Sequence, residues 1–169
     1  MDPVVRVPAG DPSGANGRDG SGAHGRDGSG AHGRDGFSAR GRGEVERALQ
    51  YAGEASGLKY AVVVREVGGP LRPYAESVHA SMDDPPRSVL VVVDPAARGL
   101  QIVTGQRARR RIPDEACAAV GVAISRAIGE GGLVRGLVAG LQQLGQIAGP
   151  PRRRASRPAA PEARADVSG

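Results

Sequence analysis

Two valine runs limit what this chain can fold into. They are "AVVVREV" at 61–67 and "SVLVVVDP" at 88–95. β-Branched residues favour an extended backbone. Three in a row leave neither face of a strand polar, which marks a strand buried on both sides. We therefore expect a strand over Leu58–Val67 and a second that ends at Asp94. Between them "PYAESVHASM" sets Tyr74, Val78 and Met82 on one stripe, the period of a helix. A β-α-β unit of this kind predicts two parallel strands. "DPAARG" is a turn sequence, and "GLQIVTG" after it reads as a third strand, antiparallel to the second. Leu100, Ile102 and Thr104 fall on one side of that strand, with Gln101 and Val103 on the other. Val62, Val64, Val91, Val93 and Ile102 are the expected buried sheet positions.

Helices frame this sheet. Val45, Ala48, Leu49 and Ala52 recur at helical spacing before Gly57. "IPDEACAAVGVAISRAIGEG" opens with Pro113 and two acids, as helices commonly do, and stops at Gly129. Its stripe is Cys117, Val120 and Ile124. A last helix is expected over Leu133–Ala148. Gly132, Gly136 and Gly140 leave a bare groove along it, suited to close internal packing. The predicted fold class is α/β, a small mixed sheet with a parallel β-α-β unit and an antiparallel hairpin, covered by helices.

The flanks read differently. Residues 13–36 are three copies of an octapeptide, SGANGRDG and then SGAHGRDG twice. Glycine spacing of 3, 3, 2 breaks the strict triplet of a collagen helix. No large apolar residue lies between Val7 and Phe37, so the segment cannot bury enough surface to offset chain entropy. Residues 150–169 are rich in Pro, Ala and Arg. We expect disordered, low-complexity tails over 1–42 and 150–169 around a domain at 43–149. Residues 44–149 hold twelve basic and eleven acidic groups, whereas 150–169 hold five arginines and two acids. The basic balance is thus largely in the tail, which makes nucleic acid an unlikely ligand for the core.

No amino-terminal signal pattern and no apolar stretch of about 18 residues is present, so the expectation is a soluble cytoplasmic protein. Cys117 is the only cysteine, so no intrachain disulfide can form.

Candidate sites follow from residue type and spacing. His24 and His32 with Asp27 and Asp35 read better as a tether than as a metal site. Glu76, His79 and Asp83 stand at i, i+3 and i+7, a set able to ligate a metal or shuttle protons. Asp83 and Asp84 are the candidate catalytic acids. Asp94 lies at the other end of the intervening strand, about 20 Å away, too far to join them. Arg109, Arg110 and Arg111 could fork onto an anion, with Arg107 nearby. Cys117 on an apolar stripe reads as a buried, inert thiol. Ser156 in "RRRAS" is a candidate phosphorylation site. No resident cofactor is expected.

Taken in order, "SGLKYAVVVREV", "YAESVHASM" and "SVLVVVDPAARGLQIVTGQRARRRIPDEAC", followed by a Gly-rich helix, resemble an actinobacterial family of unknown function. That family is similar to the TPM domain of thylakoid and bacterial envelope proteins. The resemblance covers about 43–149 and implies a TPM-like α/β sandwich. Some TPM relatives are assigned acid-phosphatase activity with a divalent metal held by loop acids; others serve as assembly or partner proteins. TPM members carry an Asn-Gly acidic turn before the second strand. Here Asp83-Asp84-Pro85-Pro86-Arg87 keeps the acids without the Asn-Gly. The expected function is a non-enzymatic protein-interaction module. A metal-dependent phosphatase is the first alternative, and RNA or anionic-surface contact through the basic tail the second.

Overall fold

The computed structural model describes residues 37–151. The predicted disorder over 1–36 and 152–169, the repeat histidines and Ser156 lie outside the described residues. Within them the sheet is small and mixed. Strand β1 (Lys59–Val64) pairs parallel with β2 (Ser88–Asp94), and β2 pairs antiparallel with β3 (Gly99–Thr104), in the order β1-β2-β3. The valine runs form the two buried strands as expected. Val62, Val64, Val91 and Val93 are at most 2 % exposed, while Ile102 is half-buried.

Helix α1 (Ala39–Ser56), α4 (Asp114–Gly129) and α5 (Leu133–Ala148) cover one sheet face. Helix α2 (Leu71–Ala80) covers the other with Leu71, Tyr74, Ala75, Val78 and, just past its end, Met82. α5 is the middle helix, packed on both α1 and α4. Its Leu137, Leu141 and Leu144 are fully buried, each contributing about 1.5–3 kcal/mol by leaving water. The glycine groove serves this packing. A Cβ on Gly136 would lie 2.8 Å from Ala127 Cβ on α4, and one on Gly145 would lie 2.9 Å from Ala52 Cα on α1. Gly140 also abuts Ile124 of α4, and Gly132 stands at the N-cap of α5.

Several boundaries differ from the sequence reading. α1 starts at Ala39, ahead of the expected domain start at residue 43, because Ser38 caps it and Phe37 is buried in the core. β1 ends at Val64, although the Arg65 N–H still donates to the Val93 carbonyl at 3.0 Å. α2 ends at Ala80, so Asp83 lies beyond the helix. A four-residue helix, α3 (Gln106–Arg109), for which the sequence reading set no element, stands between β3 and α4. It buries Ala108, and Ile112 follows it into the core.

Candidate functional site along the edge of β3

The two sheet edges are not alike. β1 is buried from Tyr60 to Val64, whereas every residue of β3 except Thr104 is partly exposed. The hydrogen-bond phase shows what β3 presents. The Gly105 N–H donates to the Ser88 carbonyl at 2.9 Å. In an antiparallel ladder, bonded and non-bonded pairs alternate. With Val89 opposite Thr104, the bonded pairs are Leu90 with Val103 and Val92 with Gln101. The N–H and C=O groups of Leu100 and Ile102 therefore point away from β2. The Ile102 carbonyl has one weak partner, the Gln101 Nε2, which donates to it at 3.3 Å. Among the described residues, the Leu100 and Ile102 amides have no acceptor.

This edge is the floor of an open groove of about 950 Å³, walled by α2 and α4. On the α4 side lie Cys117, Gly121 and Val122; Val122 is 70 % exposed. On the α2 side lie Arg72 and Glu76, which pair at 2.9 Å. The pleat sorts β3 the same way. Leu100 and Ile102 pack toward α4, and Val103 packs toward α2.

Cys117 is half-buried in this wall rather than fully enclosed. Burial pushes its thiol pKa up, the nearby Asp114 carboxylate adds to the rise, and Arg109 opposes both. It is therefore a protonated thiol at neutral pH, not an activated nucleophile.

The other candidates are placed as follows. His79 is buried, and its Nε2 lies 3.1 Å from the Ser88 carbonyl, so that nitrogen carries a proton and donates. Glu76 is exposed and turned to Arg72. Asp83 is exposed, and Asp84 precedes the 3₁₀ turn Pro85–Arg87. Among the described residues, no three His, Cys, Asp or Glu side chains converge as a metal site. Asp94, at the far end of β2, accepts from the Val67 and Ala97 amides at 3.0 Å each. The Ala97 and Val67 N–H groups hold its carboxyl below the usual range.

The arginines divide. Arg109 pairs with Asp114 at 3.4 Å, and Arg110 is exposed. Arg111 is committed to the fold. Its Nη1 donates to the Ser56 carbonyl at 2.6 Å, and its Nε and Nη2 donate to the Ala148 carbonyl at 2.9 and 2.6 Å. Nη2 also reaches the Gly149 and Pro150 carbonyls. One guanidinium thus caps the C-termini of α1 and α5.

The sequence pattern of the domain-of-unknown-function family DUF5130 matches residues 8–145. The chain belongs to that family. No curated protein matches it. Three solved structures share its fold. The BA42 protein of Bizionia argentinensis superposes with a TM-score of 0.60 at 16 % identity, over 68 % of this chain and 84 % of its own. The N-terminal domain of a P. gingivalis protein gives 0.56 at 16 % identity, over 66 % and 75 %. The N-terminal domain of the cg2496 protein of Corynebacterium glutamicum gives 0.57 at 13 %, over 66 % and 74 %. At these identities the likeness concerns the fold. Among the described residues, no helix is long and apolar enough to cross a membrane.

Proposed function

We propose that this domain is a protein-interaction module that accepts an extended segment of a partner protein as a fourth strand on β3. The observation that carries this is the outward-facing N–H groups of Leu100 and Ile102, which have no acceptor among the described residues, on the floor of a groove. An extended peptide laid there pairs with both N–H and both C=O groups, as in β-strand addition. The walls give the preference. The α4 side, with Val122, favours apolar side chains at alternate positions. The α2 side, with Arg72 and Glu76, favours polar or charged ones between them.

The TPM-like resemblance is in keeping with this reading, since partner binding is one role it implies. The phosphatase alternative draws less support, because Asp83 and Asp84 stand at the opposite end of β2 from Asp94. We assign the protein to the cytoplasm, where a lone thiol such as Cys117 stays reduced.

The test is an NMR titration of the full chain with a capped octapeptide that alternates Val with Thr. The expected result is a saturable shift of the Leu100 and Ile102 amides. Ile102→Pro should abolish it, because proline is tolerated where a strand's N–H faces solvent yet cannot donate to a docked strand. Absence of a saturable shift at millimolar peptide, or a shift confined to Asp83–Asp84 or Arg107–Arg110, overturns the reading.

A further inference from the structure

We infer that α4 pairs with α4 of a second copy of the chain, antiparallel about a two-fold axis. Ala119 and Val122 of each copy meet at the centre, and Glu115 of one copy lies beside Arg126 of the other at both ends. This goes beyond strand uptake on β3 and does not depend on it.

The middle of α4 is apolar on every side. Residues 116–124 read ACAAVGVAI, with no charged side chain. A helix that is apolar all round belongs in a covered setting. The fold covers only part of it. Val120 and Ile124 abut Gly140 of α5, Ala127 abuts Gly136, and Gly121 faces Leu100 and Ile102 of β3. Ala118, Ala119, Val122 and Ala123 stay exposed. The exposed side of α1, by contrast, carries Glu46, Arg47, Gln50 and Glu54. At 3.6 residues per turn, Glu115, Ala119, Val122 and Arg126 fall within about 60° of one another, on the side of α4 turned away from α5. A second α4 set there continues the helix layer.

The charges name the second copy as the occupant. Glu115 is exposed and has no ion-pair partner among the described residues; its neighbour Asp114 takes Arg109 instead. Arg126 pairs with Glu130 at 3.4 Å, but Glu130 also lies 4.0 Å from Arg135. Arg126 can therefore turn outward while Glu130 keeps Arg135. One end of the apolar stretch thus carries an acid without a partner, and the other an arginine that can be released. Parallel helices would set like charges together. Antiparallel helices set each Glu115 against an Arg126. Glu115 stands four residues before Ala119, and Arg126 four after Val122, so a single axis aligns the apolar centre and both ion pairs. A patch that complements itself in this way is the mark of a two-fold interface.

The alanines let the two helix axes approach to about 8 Å. Three turns of helix per copy make a contact below about 1,200 Å², so the association is reversible. Val122 and Arg126 also line the groove over β3, and the second copy therefore borders that groove.

The test is sedimentation equilibrium of the full chain from about 10 μM to about 1 mM, the range of weak, reversible association. The expected result is a mass that rises with concentration from 17.2 kDa toward twice that value. Val122→Glu lies on the surface, so its circular dichroism spectrum and melting temperature should stay near those of the natural protein. It should weaken the dimer about tenfold or more. Glu115→Arg and Arg126→Glu each set like charges together at both ends, and each alone should weaken the dimer to a similar degree. An equimolar mixture of these two variants should recover it, because every end then joins opposite charges. A mass that stays at 17.2 kDa at about 1 mM overturns the inference. So does a dimer that survives Val122→Glu, or a mixture no more dimeric than either single variant. The octapeptide titration reads the β3 edge separately: saturable shifts of Leu100 and Ile102 in a chain that proves monomeric leave the docking edge standing while the dimer falls.

Discussion

Arg111→Met removes the guanidinium and keeps most of the side chain's length and apolar stem. Five hydrogen bonds to carbonyls go with it, but they are not equal. Water can take over at Gly149, which is half-buried, and at Pro150, which is exposed. It cannot easily do so at Ser56, which is fully buried, or at Ala148, which is 8 % exposed. Counting only those two carbonyls, at about 1.5–3 kcal/mol each for hydrogen bonds to a charged donor, gives a loss of about 3–6 kcal/mol. For a domain of this size that lowers the melting temperature by roughly 12–24 °C. Urea unfolding followed by circular dichroism, on full-length protein, reads the difference directly. Arg111→Lys should recover part of the loss, since one ammonium can still reach one of the carbonyls. Arg110→Met, one residue away and exposed, should change stability by less than about 0.5 kcal/mol. If Arg111→Met unfolds within about 0.5 kcal/mol of the natural protein, the double helix cap is wrong, and Arg111 is again open to the anion-binding role its sequence suggests.

Val91→Asp should prevent folding, because it buries an unpaired charge in the central strand; a native circular dichroism spectrum and melting temperature would contradict the sheet assignment. Gly105→Ala should destabilise strongly, by more than about 3 kcal/mol, since its Cβ would lie 2.6 Å from the Pro86 carbonyl carbon and oxygen; an unchanged urea midpoint would refute that close approach. Asp94 has a depressed folded-state pKa, so its stabilisation is present above the ordinary carboxylate pKa and is lost as pH falls through the lower folded value. The urea midpoint of the natural protein should therefore drop more steeply below about pH 4 than that of Asp94→Asn, and parallel pH profiles would refute the role of the Val67 and Ala97 amides.

The sheet was legible because its signals are local. "VVV" at 62–64 and again at 91–93 marks buried strands through β-branching alone, with no help from distant residues, and "DPAARG" supplies the hairpin. The side assignment of Leu100 and Ile102 followed from strict alternation. Other features depend on distant partners. Arg111 resembles any member of its arginine run until folding brings Ser56 and Ala148, 55 and 37 positions away, to its guanidinium. α3 spans only four residues, too few for a helical period to show. Glu76, His79 and Asp83 looked like one face because helical spacing was extended past Ala80; the chain leaves the helix there, and His79 turns into the fold toward Ser88. The open edge was equally hidden. Strand order could be anticipated, but the exposure of β3 depends on where α2 and α4 come to rest.

The central claim is that the outward N–H groups of β3 take up a strand. Hydrogen exchange resolved to single amides, on full-length protein with and without saturating Val/Thr octapeptide, tests it most directly. The account predicts slowed exchange at Leu100 and Ile102 on binding, with Gln101 and Val103 unchanged. Binding that leaves Leu100 and Ile102 exchanging at their free rates would contradict it.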